Sequence, residues 1–198
     1  MYINESIKTY LDDLGARKSA PGGGSAAGLS GAIGTALLEM VCNFTLGKKK
    51  YKDVGSKIKK HLEDLAKLKN SFEGSIDEDV KVYREVRESF KSNDPKRIED
   101  ALKNSYGLCL NICERSRIAM DIASDLANIG NADLITDVGC GADMLMASFN
   151  SGAFNCEINL KFMKDRGFAE KEKERLADYK DIEKKYKEVI LKTKERMK

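Results

Sequence analysis

The chain has no tryptophan, only two prolines and a single histidine among its 198 residues. Few prolines leave long segments without a helix breaker. One histidine excludes most histidine-based metal sites and weakens any serine–histidine–aspartate relay. Cysteines are few and odd in number: Cys42, Cys109, Cys113, Cys140 and Cys156. Their wide spacing argues against a disulfide framework and for a reducing compartment. The net charge of +3 is too small to point to nucleic acid. Basic residues are also not interleaved with aromatics, as a single-strand binder requires. The opening "MYINESIKTYLDDL" is amphipathic and acidic, unlike a secretory signal, and predicts a cytoplasmic protein. No alternating strand pattern of useful length and no internal repeat occurs.

What is present is helical. Hydrophobic residues make up 41% of the chain, enough for a core, and charged residues 34%, mostly in long helix-like runs. Ile3, Ile7, Tyr10, Leu11 and Leu14 recur at helical spacing, predicting a helix over 4–14 with Asn4 as its cap. A second helix is expected from Ser25 to Leu46, small or apolar on every side and therefore buried all round. Residues 48–91 carry a stripe from Tyr51 to Phe90 and predict one or two amphipathic helices, with a bend at Gly74. "SNDP" restarts the chain at Pro95, and a long helix follows to about Ile129. After the "GNAD" turn, 133–152 reads as another buried helix, with "GAFNCEINLKFM" less regular. A charged helix is expected from Ala169 to Lys198. The fold class is all-α: a bundle of about six to seven helices, long and antiparallel, in one domain over 1–198.

The stretch "SAPGGGSAAGLSGAIGTALL" bears the least common composition. It resembles a phosphate loop in being glycine-rich before a helix, yet it has no GK[ST] ending to supply a lysine, and no strand precedes it. It is an uncharged window of membrane-spanning length, but glycine and serine replace the leucine and phenylalanine that insertion needs. Gly22, Gly23 and Gly24 allow close backbone approach, and the helix start behind them offers free N–H groups to an anion or polar ligand.

Among the acids, "SIDEDVKVY" is informative. On a helix turning roughly 100° per residue from Ile76, Asp79 falls near ~300° and Tyr83 near ~340°, on the apolar face. Asp77 and Glu78 fall near ~100° and ~200°, with the solvent. Burial raises a carboxyl's pKa and makes it a usable general acid; a boundary residue paired with a lysine is the alternative. Asp137 also sits among small and apolar residues. Asn155 and Asn159 share a helical face. His61 lies in a solvent-facing charge run. Cys109 and Cys113, one turn apart with no partner pair, read as core.

"SAPGGGSAAGLSGAIGTALLEMVCNFTLGKKKY", then "DEDVKVY", "GNADLITDVGCGA" and "FNCEINL" in that order, resemble the cyclodeaminase family: the second domain of formiminotransferase-cyclodeaminase and its stand-alone relatives. The resemblance covers nearly the whole chain. It implies an all-α homodimer acting on a folate, with no metal or redox cofactor, no nucleic acid and no membrane. It implies Asp79 as the catalytic acid. It assigns substrate binding to Gly22, Gly23, Gly24, Ser25, Lys48, Lys49, Tyr83, Asn131, Asp137, Asn155 and Asn159. The lysine pair would meet the anionic, possibly polyglutamylated, folate tail. The implied activity is that of an ammonia-lyase-type cyclodeaminase in histidine degradation, closing 5-formiminotetrahydrofolate to 5,10-methenyltetrahydrofolate. The alternatives are a methenyltetrahydrofolate cyclohydrolase in the same pocket or a non-catalytic folate-binding dimer. Glu39 departs from the usual uncharged helix, and is expected to face a partner or solvent.

Overall fold

The computed structural model describes residues 1–198, the side chain of Lys180 excepted. It contains seven α-helices and, among the described residues, no strand. They are α1 (Ile7–Gly15), α2 (Gly23–Thr45), α3 (Gly55–Ser92), α4 (Pro95–Ile129), α5 (Ile135–Phe162), α6 (Arg166–Ala177) and α7 (Asp181–Arg196).

The bundle is built around α2, which packs mainly against α3 and α5, while α4 closes the far side against α5 and α3. All four pairings are antiparallel. Along α2 and α5, Ser148 Oγ donates to the Ala27 carbonyl, Ser30 Oγ to Met144, and Gly34 meets Gly141. Small residues on α2 permit this closeness. A Cβ on Gly31 would lie 2.4 Å from the Phe72 ring, and one on Gly34 would lie 2.9 Å from the Gly141 carbonyl. Phe72, Leu38, Leu65, Ile112, Met120 and Leu145 fill the core, each fully buried or nearly so.

Several boundaries differ from expectation for identifiable reasons. The N-terminus forms a short 3₁₀ turn over Tyr2–Asn4, and α1 starts later because Ser6, not Asn4, accepts the Thr9 N–H. Helix α2 begins two residues before Ser25. Tyr51 and Val54 fall in a separate 3₁₀ segment, Lys49–Val54. Helix α3 passes through Gly74 unbroken, and α5 continues through "GAFNCEINLKF" to Phe162. The C-terminal run divides into α6 and α7, with Asp165 capping the first. Pro95 starts α4 as expected, with Asp94 accepting the Lys96 and Arg97 N–H groups.

Three polar residues also depart from expectation. Glu39 is largely sheltered from solvent and has a counterion within the chain: it accepts from Lys69 Nζ at 2.6 Å across the α2–α3 contact. His61 is largely buried, its Nε2 2.9 Å from Asp125, because α3 turns that position toward α4. Asp77 does not simply face solvent but accepts the Tyr2 and Ile3 N–H groups at 2.6 and 3.2 Å. Cys109 and Cys113 are core residues, as read. Helix α2 is long and apolar enough to cross a membrane, yet most of it is buried inside the bundle.

Gly31→Ala is expected to lower the unfolding free energy by about 1–3 kcal/mol, because the Phe72 ring has no room to retreat in a packed core. Gly74→Ala, where nothing lies within 4 Å, should instead stabilise α3 by about 0.5–1 kcal/mol. Urea denaturation of the two variants checks both signs.

Candidate active site

The glycine turn and Asp79 meet at one end of the bundle. The N-terminus of α2, capped by Gly22, lies against the middle of α3, so that the Ser25 N–H donates to Asp79 Oδ2 at 2.9 Å. Gly24 permits this approach: a Cβ there would sit 2.1 Å from Asp79 Oδ1, and the carboxyl would have to move. Among the described residues, the Gly23 and Gly24 N–H groups at the start of α2 have no acceptor, and both residues line the adjacent cleft.

That cleft has a volume of about 420 Å³. Lys18 to Gly24 form one wall. Asp79, Tyr83, Val86 and Phe90 of α3 form another, and Asn155, Ile158, Asn159 and Phe162 of α5 a third, with Leu102 and Ser105 of α4 behind. Its lining mixes the apolar Val86, Phe90, Leu102, Ile158 and Phe162 with the polar Lys18, Asp79, Ser105, Asn155 and Asn159. Phe90 and Phe162 meet edge to face at its rim, centroids 6.4 Å apart. The two asparagines donate back along their own helix, Asn155 to Ser151 and Asn159 to Asn155, at 2.8 and 2.7 Å. Among the described residues their amide oxygens accept nothing, and each retains acceptor capacity.

Asp79 is half-buried. Loss of hydration holds its carboxyl above the ordinary range, opposed by the Ser25 N–H, which favours the ionised form. Its field reaches inward: burial first, and then Asp79, push the Cys109 thiol up to about 12.

The structure gathers eight of the predicted residues here: Gly22, Gly23, Gly24, Ser25, Asp79, Tyr83, Asn155 and Asn159. It does not bring Lys48, Lys49, Asn131 and Asp137 to them. Those lie at the other end of α2, a helix roughly 33 Å long at 1.5 Å per residue. Lys48 lies 3.8 Å from Asp133, and Lys49 is exposed at the start of the 3₁₀ segment. Asp137 sits in the first turn of α5. Asn131 is 3% exposed and held by its own chain: its N–H donates to Thr45 Oγ1, its amide to the Phe44 carbonyl, and its Oδ1 accepts from Asp133 N–H and Tyr51. Within one chain Asn131 ties a turn together. Sequence order alone could not separate these two ends, since an antiparallel bundle returns to each of them repeatedly. Lys18, Ser105 and the Phe90–Phe162 rim were missed; the helical stripe had marked Phe90 only as core.

Among the described residues no cluster of three or more histidine, cysteine or acidic side chains could hold a metal ion.

A raised carboxyl makes stability depend on pH. An unfolded aspartate titrates near ~3.9, and folded Asp79 titrates higher. Between the two the folded state binds the extra proton, so Asp79's contribution is full at low pH and is lost as pH rises through the folded value. Asp79→Asn, which keeps an acceptor for Ser25 without the charge, should therefore melt higher than the parent at pH 7. The gap should close toward pH 4; melting temperatures across that range test it.

The profile of the family described as formiminotransferase-cyclodeaminase matches residues 6–178. A methenyltetrahydrofolate cyclohydrolase from Methylorubrum extorquens is 38% identical over 176 residues, covering 84% of this chain and 85% of that protein. The formimidoyltransferase-cyclodeaminase of Mus musculus is 26% identical over 184 residues; this chain spans only 34% of its length. The crystal structure of a formiminotetrahydrofolate cyclodeaminase from Thermotoga maritima superposes with a TM-score of 0.94 at 28% identity, over 98% of both chains.

Proposed function

This chain belongs to the formiminotransferase-cyclodeaminase family, and from that premise we propose that it is a cyclodeaminase acting on the N5–N10 one-carbon bridge of tetrahydrofolate. The reaction closes 5-formiminotetrahydrofolate to 5,10-methenyltetrahydrofolate and releases ammonia. The observation that carries the reading is a half-buried carboxyl of raised pKa lining a cleft of mixed apolar and polar side chains, held by a helix N-terminus.

In the first step N10 attacks the formimino carbon and the carbon–nitrogen double bond opens. The exocyclic nitrogen must leave as ammonia. It takes up two protons, one that N10 gives up and one from an acid, and leaves with the carbon–nitrogen bond pair as the lone pairs of N5 and N10 push in to form the methenyl cation. Asp79 is the proton donor; a positioned acid of this kind contributes about 10²–10⁴ in rate. The cleft walls hold N10 against the carbon, and orientation lowers the barrier further. Asn155 and Asn159 present acceptors to the pterin's N–H groups. The free Gly23 and Gly24 N–H groups offer donors to its carbonyl. The chemistry needs no metal or redox cofactor.

A second reading has a specific observation in its favour. The Methylorubrum relative, similar over most of both chains, is a methenyltetrahydrofolate cyclohydrolase. In that direction Asp79 would orient or deprotonate the water that adds to the methenyl carbon.

We also propose a homodimer. Ile33 and Phe44 lie exposed on the outer side of α2, and Phe154, Ile158 and Phe162 lie exposed on α5. Two α2 helices paired antiparallel across this face would cover it. The same pairing would set Lys48 and Lys49 of the partner subunit near the glycine turn, where the folate tail needs cations. Among the described residues of one chain, Lys18 is the one cation lining the cleft, and it is paired with Asp13.

Two assays of the methenyl chromophore separate the readings. Absorbance that rises from 5-formiminotetrahydrofolate with ammonia release marks the cyclodeaminase; absorbance that falls faster than uncatalysed hydrolysis marks the cyclohydrolase. Silence in both overturns the assignment. Asp79→Ala should cut turnover by about 10²–10⁴ with the fold intact. Lys48→Ala together with Lys49→Ala should raise KM for a polyglutamylated folate more than for the monoglutamate, leaving kcat unchanged.

A further inference from the structure

Tyr10 is the single buried residue of α1, 4% exposed. Of the other apolar residues along its helix, Ile7 and Leu11 face outward and Leu14 is half-buried. Its hydroxyl lies 3.2 Å from Ser25 Oγ, itself fully buried. Ser25 donates its N–H to Asp79. One hydrogen-bonded chain thus runs from α1 through α2 to the acid on α3.

The segment carrying Tyr10 is clamped to the same stretch of α3. Asp77, two residues before Asp79, accepts the Tyr2 and Ile3 N–H groups. The Tyr2 ring packs edge-on against Tyr10, centroids 5.5 Å apart, and its hydroxyl donates to Asp13 at 2.8 Å. Asp13 in turn pairs with Lys18 at the mouth of the cleft.

A buried serine hydroxyl must find a partner. Ser25 Oγ has Tyr10. Without it, the carboxylate already bonded to the Ser25 N–H is an available acceptor. A hydroxyl delivered there would favour the ionised form and tie the acid down at a second point. We propose that Tyr10 is a positioning residue: by engaging the Ser25 hydroxyl it keeps that group off Asp79, so that the carboxyl is held by one backbone N–H and stays poised to exchange a proton with substrate. The inference rests on Asp79 being the reacting acid. The other titratable groups around Asp79 are Tyr83 on its own helix, Cys109 on α4 and Lys18 in the loop. Helix α5 presents only the neutral amides of Asn155 and Asn159.

Tyr10→Phe keeps the ring and removes the hydroxyl. The expected result is a three- to tenfold fall in kcat, roughly one lost hydrogen bond, with KM within about twofold. The limb of the pH–rate profile that reports Asp79 should move to lower pH, because the freed Ser25 hydroxyl turns to the carboxylate. The direction is the same whether Asp79 acts as acid or base. Adding Ser25→Ala should return the limb to its parental position, since no hydroxyl remains to turn. Carbon-13 titration of the Asp79 carboxyl reads the same two shifts without turnover. A parental kcat and limb in Tyr10→Phe overturns the proposal, as does a shift that survives Ser25→Ala. A wild-type protein inactive on both folates overturns the functional reading instead, and the carboxyl titration still decides whether Tyr10 controls Asp79.

Discussion

The closeness of α2 to α3 is the constraint on which the rest depends. Five of the 23 residues of α2 are glycine, each a poorer helix former than alanine by about 0.8–1.0 kcal/mol. Such a helix is weak in isolation. It persists because its small face lets Phe72, Ser75 and Asp79 of α3 come nearer than any larger side chain would allow. The dense core and the approach of the glycine turn to Asp79 therefore share one cause. The spacing that seats the Phe72 ring over Gly31 also brings the Asp79 carboxyl to the Ser25 N–H, two turns earlier along α2.

At the cleft two effects oppose one another in Asp79. Burial favours the neutral acid, while the helix N-terminus favours the anion. The balance leaves the carboxyl raised but still hydrogen-bonded. A carboxyl deeper in the apolar core would stay protonated, and one out in solvent would be a weak donor at neutral pH. The glycine turn serves the same balance from the other side, offering donors without adding a charge.

Much of this was legible in the sequence because it rests on periodicity. Helical spacing put Asp79 on the apolar face of α3, apart from Asp77 and Glu78, and composition showed that α2 is buried. Proline and aspartate chemistry marked the start of α4. What escaped notice depends on contacts between distant segments. Spacing within α3 could not tell that Asp77 would hold the N-terminus, since its partners lie in residues 2 and 3. Nor could it show that Glu39 would find Lys69. The residues of the far end, Lys48, Lys49, Asn131 and Asp137, share motifs with the cleft residues but not a location. Tyr10 looked like one apolar position among five, and only its three-dimensional neighbours distinguish it.

The Glu39–Lys69 pair bears on how α2 finds its place. A surface of glycine, alanine and serine offers many nearly equivalent ways to lie in a groove, and sliding or rolling by one residue changes little in apolar burial. A single carboxylate on that helix, largely sheltered and matched to a single ammonium on α3, makes those alternatives unequal. Each displaced arrangement leaves a sheltered charge without its counterpart. The one charge in an otherwise neutral helix thus acts as an index mark, and the alignment it selects carries Gly24 to Asp79 at the other end.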